Sequence, residues 1–275
     1  MGMSDPARPT IVLIHGLWMT PRSWEGWIGH YQARGHLVIA PSWPGLEGEV
    51  EALNADPSPL RGLGIRRIVD HYESIVRALD APPIIMGHSF GGAFTQILLD
   101  RGLGAAGVAI DSAPVKGVLT LPLSTLRTAF PVLKNPANRN KAVPLTLEQF
   151  HWRFTNHTTL DATRPLYERY HVPAAGRVLF EQAFANMSPK AASTVNFANA
   201  TRAPLLFIAG GNDHVSPPKL NRANAAKYRK RSAAITDYRE FPGRSHWTVA
   251  QDGWEAVADF ALAWSLEQVA SQAKD

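Results

Sequence analysis

The sequence predicts an α/β fold: a mostly parallel sheet of about six strands flanked by helices, with a helical insertion in the middle of the chain. Three observations carry it. Short apolar runs alternate with amphipathic stretches before residue 115 and again after residue 201, and strands separated by helices imply right-handed crossovers and parallel pairing. From about Val115 to Thr201 the alternation stops, leaving amphipathic stretches, prolines and aromatics without a convincing strand. Finally, Gly87-His88-Ser89-Phe90-Gly91 stands between an apolar run and a helical one, the position of a sharp strand-to-helix turn.

The elements follow in order. Thr10–Ile14 reads as a buried strand, and Pro21–Arg34 as a helix opened by proline and closed near Gly35. His36–Ala40 is a second strand, ended by Pro41, and Pro44 to Pro59 is irregular. Ile65–Leu79 carries Ile65, Ile68, Val69, Tyr72, Ile75, Val76 and Leu79 at spacings of three and four, one face of a helix. Ile84–Met86 is the strand before Ser89, Gly91–Asp100 the helix after it, and Ala106–Ile110 the next strand. Beyond the insertion come a strand at Pro204–Ala209, a helix at Pro217–Arg231, a strand at Ala234–Phe241 and a helix at Gly253–Val269. The expected organisation is a core domain of residues 1–114 and 202–275, with 115–201 as the insertion.

Composition narrows the function classes. A chain of 275 residues, 45% hydrophobic and 19% charged, suits one globular α/β domain. No apolar run approaches the roughly 20 residues that cross a bilayer, so no membrane partner is expected. Residues 1–10 lack a basic-then-apolar leader plan, and a cytoplasmic location is the expectation. The net charge is +5, yet the one dense basic cluster, Lys227-Tyr228-Arg229-Lys230-Arg231, closes a predicted helix. Cations suit a helix C-terminus, so no nucleic-acid partner is expected. The chain has no cysteine, which excludes disulfides, thiol catalysis and thiolate metal sites. Neither a metal nor a cofactor is expected.

Ser89 is the candidate nucleophile. A serine hydroxyl is weak at neutral pH and needs a base beside it, for which histidine has the suitable pKa. Among the ten histidines, His246 sits in a loop just after the last predicted strand, where strand C-termini gather their loops. His88 adjoins the serine but turns elsewhere on so tight a bend, and His15 supports the loop after the first strand. A carboxylate must orient the imidazole. Asp213, in the loop after Pro204–Ala209, is the favoured acid, and Asp111, after Ala106–Ile110, is its rival. Two main-chain donors would hold an oxyanion: the N–H of Phe90, next to the nucleophile at a helix start, and that of Leu17 in His15-Gly16-Leu17-Trp18.

With these residues assembled, the chain resembles the α/β-hydrolase superfamily. The likeness covers most of its length: His15-Gly16, Gly87-His88-Ser89-Phe90-Gly91-Gly92, the Gly210–Asp213 loop and Ser245-His246-Trp247. It implies a catalytic triad of Ser89, Asp213 and His246, in that chain order. The first predicted strand opens so early that the hairpin beginning the full eight-stranded sheet is not expected, and six strands are. A serine in place of aspartate at the nucleophile argues against haloalkane dehalogenases and epoxide hydrolases. The resemblance also makes 115–201 a cap over the active site. Trp18, Phe130, Phe150, Trp152 and Trp247 are the candidate pocket residues.

The activity so implied is hydrolysis of a carboxylic ester or lactone of an apolar small molecule through an acyl-Ser89 intermediate. The same triad serves amidases, thioesterases, carbon–carbon bond hydrolases, perhydrolases and acyltransferases. A ligand receptor of this fold, with little turnover, is the alternative from another class.

Overall fold

The computed structural model describes residues 8–272. The expectation of a leader-free terminus at residues 1–10 lies largely outside them. Along the chain run β1 (Ile11–Ile14), α1 (Glu25–Gln32), β2 (Val38–Ile39), α2 (Val50–Ala55), α3 (Ile65–Arg77), β3 (Ile84–His88), α4 (Phe90–Asp100) and β4 (Ala106–Ile110). Next come α5 (Leu123–Leu133), β5 (Ala142–Val143), α6 (Leu147–Phe154), α7 (Leu160–Tyr170), β6 (Ala174–Ala175) and α8 (Gly176–Ala183). The chain finishes with β7 (Leu205–Gly210), α9 (Pro218–Arg231), β8 (Thr236–Phe241) and α10 (Trp254–Gln272).

The main sheet has six strands in the order β2-β1-β3-β4-β7-β8, all parallel. Its inner strands are buried on both faces, and their alternation assigns side chains to two cores. Ile11 and Leu13 of β1, Ile84 and Met86 of β3, and Val108 and Ile110 of β4 pack against Trp24, Trp27, Tyr31 and the α10 residues Val257, Ala258 and Ala261. Val12, Ile14 and Ile85 face the opposite side, among Ile68, Val69, Tyr72, Phe94 and Leu98 of α3 and α4. Among the described residues no strand precedes β1 and no helix is long and apolar enough to cross a membrane.

Three local readings differ from the sequence expectation. The predicted helix from Pro21 starts as a 3₁₀ turn, Pro21–Trp24, capped by the Thr20 side chain, before α1 begins at Glu25. The irregular stretch Pro44–Pro59 contains α2, only six residues long. The insertion, read as strand-free, holds the antiparallel pair β5–β6, with Ala142 opposite Ala175 and Val143 opposite Ala174. Two-residue strands show no period that a sequence can display.

The turn into α4 depends on glycines. A Cβ on Gly91 would fall 2.0 Å from the Ile14 carbonyl oxygen, and one on Gly87 would fall 2.1 Å from the Gly91 oxygen. Both obstacles are backbone, so no rotamer relieves them. Gly91→Ala should destabilise the protein by about 3 kcal/mol or more, a fall of about 10 °C in Tm. Gly29→Ala in α1, where the added carbon meets nothing within 4 Å, should raise Tm or leave it unchanged. Equal melting curves for the two variants would refute the packing argument.

Candidate active site

Ser89 stands between β3 and α4 with φ 56 and ψ −117, a positive-φ backbone that side-chain-bearing residues rarely adopt. Main-chain bonds hold it there: its N–H donates to the Ile110 oxygen at 2.9 Å, and its carbonyl accepts from Ala113 at 2.9 Å and Gly92 at 3.0 Å. Gly16 passes so close that a Cβ there would lie 2.7 Å from the Ser89 Cβ. The loop after β1 therefore abuts the serine. The N–H of Leu17 in that loop, and that of Phe90 at the first position of α4, donate to no backbone acceptor. A helix start leaves such donors free for an anion.

His15 fixes this loop from below. Its Nε2 accepts the Trp43 N–H at 3.3 Å, which puts its proton on Nδ1, where it donates to the Gly16 carbonyl at 2.9 Å. Burial pushes its pKa down to about 4, so the ring stays neutral and the tautomer persists.

His246 and Asp213 meet in full burial. His246 Nδ1 donates to Asp213 Oδ2 at 2.7 Å, and Asp213 Oδ1 accepts the N–H groups of Val215 at 2.6 Å and Ser216 at 3.0 Å. With the proton on Nδ1, Nε2 is left as a lone-pair nitrogen, and it has no partner. His88 lies under the same ring, 4.7 Å between centroids, and its Nε2–H donates to the His246 carbonyl at 2.9 Å. Burial holds the His88 pKa well below the ordinary value, making it a neutral brace.

Asp111 is also buried, with φ 45, and its Oδ1 accepts the Gly210 N–H at 2.6 Å. Burial, with the Asp213 charge nearby, pushes its pKa up to about 7. Burial alone would lower the His246 pKa; the attraction and hydrogen bond of Asp213, with Asp111 adding to them, raise it above 6.5. Because the Asp111 charge favours the imidazolium, Asp111→Asn should move the His246 titration to lower pH. The shift should be a few tenths of a unit to about one, read from the downfield Nδ1–H resonance. An unchanged or higher midpoint would exclude this coupling. His88, Asp111 and His246 also bring one ligand atom each within 4.8 Å of one another, the spacing of a metal site. A metal there would compete for the ring that Asp213 orients.

The end of α6 and the turn after it tie these loops together. The Phe154 carbonyl accepts from Ser245 Oγ at 2.6 Å and from the Trp247 N–H at 3.1 Å, and its ring lies 5.2 Å from that of His246. Asn156 donates to the Asn212 carbonyl at 3.0 Å, and the His214 Nδ1–H donates to Trp152 at 3.0 Å. His214 is thus spent on a loop contact. Phe154 is a contact that sequence could not single out from the other aromatics of the insertion.

The five candidate pocket residues separate widely. Trp18 is buried with φ 63, and its Nε1–H donates to the Val143 carbonyl of β5 at 3.0 Å, joining the loop after β1 to the insertion. Phe150 and Trp247 pack on each other with Phe154 and Tyr170, with almost no surface left to solvent. Trp152 is half-buried between Arg127, 4.5 Å above its ring, and the His214 imidazole. Phe130 points outward and is 64% exposed.

Comparison with known proteins agrees with this architecture. The sequence profile of the Alpha/beta hydrolase family matches residues 11–260. No curated protein sequence matches. Among solved structures, the chain is similar to the Paleococcus ferrophilus monoacylglycerol lipase, at 20% identity and TM-score 0.65, covering 95% of this chain and 96% of that one. It is similar to an extracellular α/β-hydrolase from a Paenibacillus species, at 20% identity and TM-score 0.66, with coverage of 93% and 98%. A third likeness is to a thermophilic esterase from Thermogutta terrifontis, at 16% identity and TM-score 0.65, with coverage of 95% and 92%. With the profile spanning the parallel sheet, the serine turn and both later loops, the chain belongs to the Alpha/beta hydrolase family.

Proposed function

We propose that this hydrolase cleaves a carboxylic ester or lactone of a small molecule through an acyl-Ser89 intermediate, without a cofactor. The observation that carries the proposal is the buried 2.7 Å bond from His246 Nδ1 to Asp213 Oδ2, which leaves Nε2 unprotonated and unpartnered. Ser89 Oγ attacks the carbonyl carbon while its proton passes to Nε2, and Asp213 stabilises the imidazolium that forms. The oxyanion takes the N–H groups of Leu17 and Phe90, each worth about 3 kcal/mol of transition-state stabilisation. Collapse breaks the bond to the alcohol oxygen as Nε2 returns the proton to it. Water then repeats the sequence on the acyl-serine, releasing the acid. Residues 115–201 serve as the cap.

Ester cleavage is preferred to amide cleavage because the structural neighbours include proteins described as a lipase and an esterase. Para-nitrophenyl butyrate and the matching para-nitroanilide test the choice. Sustained turnover of the ester, at least about 100-fold faster than the anilide, is expected. Faster anilide cleavage would contradict the ester assignment. A single turnover with no recycling would replace the enzyme by a ligand receptor.

A further inference from the structure

Arg153 of α6 is 2% exposed and has no carboxylate within ion-pair distance among the described residues. Its Nη1 donates to the Gln149 carbonyl at 3.0 Å and its Nη2 to the Thr128 carbonyl at 2.7 Å, while Nε has no partner. A guanidinium carries five N–H bonds in one plane, so the two carbonyls leave Nε–H and further Nη–H groups unspent. The charged group that bears on it is a second cation, Arg127, which together with burial pushes its pKa down to about 10. Buried charges are normally paired; this one is left unmatched.

Its place explains why. The guanidinium lies 5.7 Å from the centroid of the Trp18 ring, within cation–π range. Trp18 directly follows Leu17 and holds a left-handed backbone, unusual for so bulky a residue. Phe154, the next residue after Arg153, has its ring against His246. The guanidinium thus touches the residue after Leu17, and the next residue along α6 touches the imidazole.

We infer that Arg153 is the anion anchor of the substrate site and that the natural ester or lactone carries a free carboxylate. One buried positive charge matches a monoanion, and a planar fork of Nε–H and Nη–H matches a carboxylate edge. This inference rests on the ester-hydrolase reading and revises the apolar substrate expected from sequence, in which no pocket charge could be located.

The test compares para-nitrophenyl hydrogen adipate, which keeps a free carboxylate, with neutral para-nitrophenyl hexanoate. The wild type should favour the adipate ester at least about 10-fold in kcat/KM. Arg153→Met should lower the ratio of adipate-ester to hexanoate-ester kcat/KM by roughly 10- to 100-fold. Arg153→Lys, which keeps the charge without the fork, should retain part of the preference. A wild type that favours hexanoate, or an Arg153→Met that loses both esters equally, overturns the anchor. Calorimetry on the wild type with adipate and adipamide decides the matter without a variant: adipate alone should bind, and equal or no binding of the two overturns it. If adipate binds but neither ester is turned over, the ester reading fails and the anchor stands.

Discussion

Ser89→Ala should lose about 10⁶-fold in kcat on an activated ester while keeping its melting temperature. The magnitude follows from removal of the proposed nucleophile of a serine–histidine–acid unit, whose remaining parts supply only about 10³–10⁴-fold over water. The unchanged fold follows from the contacts. Ser89 is fixed by its N–H and carbonyl, and the group pressed against Gly16 is its Cβ, all of which alanine retains. Kinetics with para-nitrophenyl butyrate, alongside thermal denaturation, check both halves. Residual activity above about 1% in a folded variant would mean that another group attacks the ester.

Asp213→Asn should cost about 10⁴-fold in kcat. Oδ1 of Asp213 is held by the N–H groups of Val215 and Ser216, which aims Oδ2 at His246. Asparagine must keep an oxygen toward those two donors, so its NH₂ faces Nδ1. The imidazole then accepts at Nδ1 and carries its proton on Nε2, unable to take one from serine. Asp111→Asn retains an oxygen for Gly210 and makes no bond to the imidazole, so its loss should stay below about tenfold. The variants are compared at a pH above the His246 titration. A greater loss for Asp111→Asn would transfer the orienting role to the rival acid.

Much of the sheet was legible because parallel strands buried on both faces read as unbroken apolar runs, as in Ile84–Met86 and Ala106–Ile110. Thr236–Phe241 is more polar and half-buried at the sheet edge, yet its place after a helix closed by a basic cluster located it. α2 and the β5–β6 pair escaped because a six-residue helix makes under two turns and a two-residue strand a single alternation, too few repeats for a period to show. The pairing of Asp213 with His246 was legible because each lies in a loop just after a strand-like run, and such loops converge at one end of a parallel sheet. The burial of His246 against His88, and the ionisation of Asp111 near pH 7, depend on contacts across more than a hundred residues. The aromatics of 115–201 look alike in sequence; tertiary packing encloses Phe150 and exposes Phe130. Arg153 was silent for the same reason, since an arginine in an amphipathic stretch reads as a solvated face.

The central claim is that Ser89 is an activated nucleophile. Incubation with a fluorophosphonate, followed by intact mass and peptide mapping, tests it most directly. One phosphonyl group per chain, mapped to Ser89, absent from Ser89→Ala and formed far more slowly in Asp213→Asn, is the predicted result. No adduct on a folded wild type, or an adduct on a different residue, would contradict it.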